Sequence, residues 1–104
     1  MSEAVKYDSL KPRMDLVPAD AMLKAGEVFA YGANKYSDRN WERGFNYGRL
    51  YAATQRHLNQ FWSGEDLDQE SGHHHLAHAL CCVLMLYATV MRRPDLDDRR
   101  LSEC

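Results

Sequence analysis

Apolar residues recur along much of the chain at three- and four-residue steps, which is the spacing of amphipathic helices. The stretch "PADAMLKAGEVFAYGANKY" shows this pattern from Pro18, a residue that suits the first turn of a helix because it lacks an N–H. A second helix is predicted from about Arg49 to Trp62, with His57 on its inward side and Gly64 just past its end. No stretch alternates as a strand would, so the predicted fold class is all-α.

The third predicted helix is apolar nearly all round. We expect Ser71 or Gly72 to cap it, and we expect it to continue to about Met91 and to be stopped by Pro94. A helix of this kind is either the central, buried element or a seam between subunits, because two short neighbours cannot cover it. The sequence therefore predicts a small bundle of three main helices that is completed by oligomerisation, with a ligand pocket near the subunit interface.

The 104 residues fit a single domain, with an extended N-terminal arm (1–17), a helical core (18–92) and a polar tail (93–104). The net charge of −2 argues against a protein that coats nucleic acid. Three cysteines, two of them adjacent, are a poor disulfide framework. The longest apolar run is short for a membrane span, and the first residues do not resemble a signal peptide. These features predict a soluble, cytoplasmic protein without nucleic-acid or membrane partners.

The stretch "SGEDLDQESGHHHLAHALCC" combines acids and histidines where the second helix leads into the third. Histidines three positions apart share one helix face, and Mg²⁺ needs only one or two carboxylates plus substrate phosphates. The alternative is a solvated acidic loop whose histidines cap the helix. His73 and His74 are expected to face solvent. We predict Mg²⁺ or Mn²⁺ ligands at Glu65, Asp68 and Glu70, and catalytic groups at Glu65, Glu70, His75 and His78.

Cations and aromatic residues cluster at the end of the first helix, in "YGANKYSDRNW". Cationic side chains could neutralise a polyphosphate, and an aromatic ring could stack on a base. The alternative is a favourable helix-dipole cation, a loop anchor and a satisfied core histidine. The candidate nucleotide-binding residues are Lys11, Arg13, Lys35, Tyr36, Asn40, Trp41, Arg56 and His57.

Four separated motifs carry a family resemblance: "KYDSLKPRMDLVP", "YGANKYSDRNW", "RHLNQFWSGEDLDQESG" and "HLAHALC". Over about residues 6–88 the chain resembles the phage-associated dATP/dGTP diphosphohydrolase N-terminal domains, a family similar to the MazG-like all-α pyrophosphohydrolases. The resemblance implies an oligomeric helical fold that binds a purine nucleoside triphosphate with a divalent metal. It also implies cleavage of the triphosphate to a monophosphate and pyrophosphate, in the host cytosol if the protein is phage-encoded.

The chain departs from the MazG-like pattern at the metal ligands. Those enzymes hold magnesium with an E-E-x-x-E helix and a later E-x-x-D, whereas the corresponding helices here read "AATQRHL" and "HLAH". Any metal must therefore sit on the loop acids or on the histidines. Three functions remain open: metal-dependent hydrolysis of a purine (deoxy)nucleoside triphosphate, sequestration of a nucleotide or cyclic nucleotide that blocks host antiphage signalling, and a purely structural helical module.

Overall fold

Three α-helices form the framework of the protein. The computed structural model describes residues 4–5 and 10–100, and in this part of the chain there is no strand, only one isolated β-bridge between Leu67 and His74. The predicted all-α fold with three main helices is therefore confirmed. The helices are α1 (Ala19–Lys35), α2 (Tyr47–Trp62) and α3 (His75–Arg92), with short 3₁₀ helices at Met14–Leu16, Asn40–Arg43 and Pro94–Leu96.

Small side chains join α1 to α3. Ala25 and Val28 of α1 form a buried cluster with Ala77 and Cys81 of α3. The Cys81 thiol donates a hydrogen bond to the Ala25 carbonyl oxygen at 3.0 Å, and burial raises the pKa of this thiol to about 12. Because the side chains at the contact are small, the two helices approach closely and form a firm wall behind the site described below.

The α2 helix packs on α3 through Tyr47, Leu50 and Thr54, all of which are buried. The Tyr47 hydroxyl donates to the Arg93 carbonyl oxygen at 3.2 Å, and the Gly48 N–H donates to Asp98 Oδ1 at 2.8 Å. The segment after α3 thus satisfies a free N–H in the first turn of α2. This long-range cap accompanies a helix start at Tyr47, slightly earlier than the predicted Arg49.

The predicted cap of α3 at residues 71–72 is wrong. The helix begins at His75, and the side chain of His74 caps it by accepting a hydrogen bond from the Leu76 N–H at 3.0 Å. The preceding loop closes on itself instead, since the Asp68 N–H donates to the His73 carbonyl oxygen at 2.8 Å. The predicted helix end before Pro94 is confirmed.

One stripe of α3 remains exposed although it is apolar. Val83, Tyr87 and Val90 follow one another at four- and three-residue steps and are 46%, 64% and 41% exposed. By length and mean hydropathy (1.4) α3 could also cross a membrane, but core helices of soluble proteins meet the same criterion. Its other faces contact α1 and α2, so α3 is the central helix, one of the two alternatives that the sequence left open.

Candidate functional site

A cavity of about 600 Å³ lies between the second half of α1, the loop that follows it, and the facing sides of α2 and α3. Its volume is in the range of small-molecule sites. Apolar residues such as Val28 and Met85 form part of its wall. The aromatic and polar lining residues are Phe29, Tyr31, Lys35, Tyr36, Ser37, Asp38, Arg39, Asn40, Trp41, Phe45, His57, Asp68, Glu70 and His78.

A lysine marks the outer edge of the cavity. Lys35 lies one turn after Tyr31 on α1, so both side chains project from the same face and reach Glu70. Lys35 forms an ion pair with the Glu70 carboxylate, and the Tyr31 hydroxyl donates to it at 3.4 Å. The hydrogen bond from Lys35 holds the pKa of Glu70 below its usual value. Both partners are well exposed, so the pair is weak and another anion can compete for Lys35.

Trp41 forms part of the cavity wall in the loop after α1. Its ring is half-buried, and the Arg92 guanidinium carbon lies 5.5 Å from the ring centroid. Two residues earlier, Arg39 adopts a left-handed backbone conformation with φ 55°, which turns the chain into the Asn40–Arg43 helix. The tryptophan is therefore held in place before any ligand arrives.

Three histidines meet where α2 faces α3. His57 Nδ1 lies 2.9 Å from His75 Nδ1, and the His57 ring stacks on the His78 ring with centroids 4.5 Å apart. On its other side, His75 Nε2 lies 3.1 Å from Glu65 Oε1. His75 is fully buried, with 0% of its surface exposed.

One set of tautomers satisfies both hydrogen bonds of His75. With the Glu65 carboxylate as the acceptor, His75 donates from Nε2, and the lone pair of its Nδ1 faces His57. His57 must then donate from its own Nδ1, which leaves its Nε2 as an acceptor. Burial lowers the pKa of His57, with a further contribution from His78, and favours this neutral form.

Asp68 and Ser71 complete the cluster. The Ser71 N–H donates to Asp68 Oδ2 at 2.9 Å, while Ser71 Oγ lies 2.6 Å from His78 Nε2. Burial raises the pKa of Asp68, but hydrogen bonds from Ser71 outweigh it, and the net pKa is lowered. Burial lowers the pKa of His78. Neutral imidazoles thus face an ionised carboxylate beside the cavity.

The cavity brings together many of the residues singled out in the sequence. Glu65 and His75 are not among the cavity-lining residues: His75 belongs to the histidine cluster, and Glu65 contacts His75. Arg13 pairs with Asp15, and it lies, like Lys11 and Arg56, on the exposed surface outside the lining. The predicted residues that line the cavity are Lys35, Tyr36, Asn40, Trp41, His57, Asp68, Glu70 and His78.

Some lining residues escaped the sequence reasoning. Tyr31 could have been found, because it lies four positions before Lys35 on the same helical face. Arg39 and Phe45 lie in an aperiodic loop that carries no such signal. The expectation that His73 and His74 face solvent is wrong: both are half-buried, and the His73 ring meets the Tyr31 ring edge-on at 5.8 Å.

The potential metal ligands form a different set from the loop acids. Ligand atoms of His57, Asp68 and His75 all lie within 4.8 Å of one another. The carboxylates of Glu65 and Glu70 engage His75 and Lys35 instead. The geometry thus favours a site of two imidazoles and one carboxylate.

Comparisons with known proteins identify the family of the chain. The model of the family described as "dATP/dGTP diphosphohydrolase, N-terminal" matches residues 1–99. A protein of Salmonella phage PMBT28 named dATP/dGTP diphosphohydrolase is 34% identical over 98 residues, which cover 94% of this chain and 33% of that protein. The chain thus spans about a third of the length of that relative. No solved structure matches this chain. The chain belongs to the dATP/dGTP diphosphohydrolase N-terminal family, as its sequence motifs predicted.

Proposed function

We propose that this chain binds a purine nucleoside triphosphate of the dATP or dGTP type in the cavity and hydrolyses it to a monophosphate and pyrophosphate. The observation that carries the proposal is the union, in one cavity of about 600 Å³, of cations, an aromatic wall and neutral histidines. The name of the phage relative supports the same substrates. The phage resemblance makes the host cytosol the proposed place of action.

Each part of such a nucleotide finds a partner in the lining. Lys35 and Arg39 supply positive charge for the phosphates. Trp41 offers a ring face on which the base can stack, and Asn40 beside it can hydrogen-bond the polar edge of the base. Lys35 exchanges its weak contact with Glu70 for a stronger one with phosphate.

Hydrolysis needs water positioned at the α-phosphorus. The water oxygen forms the new bond, the bond to the β-phosphate oxygen breaks, and pyrophosphate leaves. We assign the water proton to His78, which lines the cavity and whose Nε2 lies 2.6 Å from Ser71 Oγ. Glu65 contacts His75 and Glu70 contacts Lys35, so no step is assigned to a magnesium ion on Glu65, Asp68 and Glu70.

Capture without turnover is the second candidate function. The observation that favours it is the composition of α2 and α3, neither of which carries a carboxylate. Cations and aromatic rings suffice to hold a nucleotide or a cyclic nucleotide, whereas the carboxylates that bind catalytic Mg²⁺ in the MazG-like enzymes have no equivalents on these helices. A phage protein of this kind would withhold a signalling nucleotide from the host.

One experiment separates these functions. The protein is titrated calorimetrically with dATP, dGTP, ATP, GTP and cyclic dinucleotides, with and without divalent metal, and the recovered nucleotides are identified by anion exchange. Monophosphate plus pyrophosphate supports hydrolysis, and tight binding with intact ligand supports capture. Lys35→Met should weaken binding, whereas Lys24→Met, an exposed lysine of α1 outside the cavity, should not. Binding of no nucleotide overturns both functions.

Glu70→Gln tests the role of this acid directly. We expect tighter dATP binding by roughly 2–5-fold, because the variant frees Lys35 and removes a negative charge beside the phosphates. If Glu70 instead holds a catalytic metal, as the sequence suggested, turnover collapses. The measurements are the calorimetric Kd and the rate of monophosphate release. Glu27→Gln, an exposed acid of α1 outside the cavity, is the matched control.

We also propose that the exposed stripe of α3 joins copies of this chain, with the cavity near the interface. A second apolar helix would cover Val83, Tyr87 and Val90, which one copy leaves exposed. Light scattering coupled to size exclusion should show an oligomer that Tyr87→Lys dissociates. Gln60→Lys, which adds the same charge to α2, should leave the mass unchanged. A monomeric protein contradicts this proposal.

A further inference from the structure

Two imidazole nitrogens face each other at the centre of the histidine cluster. His57 Nδ1 and His75 Nδ1 are 2.9 Å apart, so one of them donates a hydrogen bond to the other. They come from different helices, α2 and α3, so the packing of the two helices creates this arrangement. A carboxylate oxygen of Asp68 lies within 4.8 Å of both histidine ligands.

We propose that His57, His75 and Asp68 form a site for a divalent transition metal such as Zn²⁺, with a coordination position left open beside the nucleotide cavity. The ion would bind both Nδ1 atoms, and the proton on Nδ1 of His57 would move to Nε2 of the same ring. Three protein ligands and one open position are the usual composition of catalytic zinc sites. His57 and Asp68 also line the cavity, so the open position is accessible to a small molecule.

The surroundings of the three ligands support this assignment. Glu65 accepts the Nε2 proton of His75 at 3.1 Å, which turns the Nδ1 lone pair toward the site. This carboxylate–histidine pair is the typical outer sphere of a metal-bound imidazole. Asp68 is held by the Ser71 N–H at 2.9 Å, and stacking on His78 fixes the ring of His57. Each ligand thus has its own support.

The donor set selects the class of metal. Mg²⁺ prefers oxygen ligands in near-octahedral geometry and retains several waters. Two imidazoles with one carboxylate suit Zn²⁺, Co²⁺ or Ni²⁺ better. The site therefore differs from the magnesium or manganese site on Glu65, Asp68 and Glu70 that the sequence predicted. Its use in hydrolysis rests on the proposed function, whereas the binding of metal does not.

The test uses metal alone. Metal-free protein, in a Cys104→Ser background that removes the thiol near the C-terminus, is titrated with Zn²⁺ by calorimetry in buffers of different ionisation enthalpy. We expect one ion per chain and no stoichiometric proton release, because both imidazoles bind the ion as neutral ligands and the His57 proton moves from Nδ1 to Nε2 of the same ring. Co²⁺ loading should give a visible d–d spectrum, and excess Mg²⁺ should not displace the zinc.

The variants locate the site. His57→Gln and Asp68→Asn should each weaken zinc binding at least tenfold and change the Co²⁺ spectrum, and Glu65→Ala should cost about 10–100-fold through the orientation of His75. His73→Gln, an adjacent histidine outside the ligand set, should bind as the parent does. Asp68→Asn is close in size to the parent residue and should fold even if His57→Gln does not, which circular dichroism verifies.

Three results would overturn the metal site: no stoichiometric zinc, equal affinity in Asp68→Asn and the parent, or displacement by Mg²⁺. Zinc bound as expected, by a protein that leaves dATP and dGTP intact, supports the metal site and counts only against hydrolysis. Nucleotide hydrolysis by a protein that binds no zinc supports the proposed hydrolysis and counts against the metal site. The two proposals therefore fail separately.

Discussion

His75→Ala is expected to lower the free energy of unfolding of the metal-free protein by about 2–4 kcal/mol. His75 is fully buried and hydrogen-bonds on both sides, to Glu65 and to His57. Alanine leaves a cavity, and it leaves both neighbours without their partner in a place that water reaches poorly. For a domain of this size the loss corresponds to a fall in Tm of roughly 10–30 °C.

The measurement is thermal and urea unfolding followed by circular dichroism, with EDTA present so that metal binding does not contribute. His73→Ala is the control, because His73 is half-buried and makes an edge-on ring contact instead of hydrogen bonds to two side-chain partners. This substitution should lower the free energy of unfolding by less than about 1 kcal/mol. His75→Asn and His75→Gln each restore a polar group near one ring nitrogen and should recover part of the loss. A loss below about 1 kcal/mol for His75→Ala would show that the hydrogen bonds of His75 to Glu65 and His57 contribute little to stability.

The helices could be predicted because their periodicity is local, but the features that shape the ends of α2 and α3 could not. Asp98 binds the Gly48 N–H across fifty residues of chain, and no sequence pattern signals that pairing. The loop before α3 satisfies its own backbone groups, so the helix start moves past the apparent caps to His75. The predicted start of α2 and the predicted cap of α3 were both wrong because long-range or loop hydrogen bonds override local signals at these positions.

The difference between local and long-range signals also explains which site residues could be predicted. His57 was predicted to face inward from its position beside the apolar face of α2, and it does. Successive helical residues are about 100° apart, so the neighbouring Arg56 is directed to the surface. Which acid meets which cation is not a local property: Glu70 pairs with Lys35 of α1 and Glu65 with His75. The metal ligands predicted from the acids alone therefore did not take these partners into account.

Trp41→Ala is expected to weaken dATP binding by about 5–150-fold, which corresponds to the loss of one base–aromatic stacking contact of about 1–3 kcal/mol. Trp41 lines the cavity, and Arg92 lies on its ring at 5.5 Å, so the wild-type ring is ordered before the base arrives. Alanine removes the stacking surface and widens the cavity. Trp41→Phe keeps a smaller ring and should retain part of the affinity.

The chain supplies its own control, because its other tryptophan, Trp62, lies at the end of α2, is 87% exposed and is not in the cavity lining. Trp62→Ala should bind dATP as the parent does. Trp62→Phe leaves Trp41 as the single tryptophan, whose emission the bound purine should quench. Calorimetry gives the affinities, and a melting curve for each variant separates lost stacking from lost folding. If Trp41→Ala and Trp62→Ala bind dATP equally well, the base lies elsewhere. Tyr36 and Phe45 are then the remaining aromatic side chains of the α1–α2 loop region that line the same cavity.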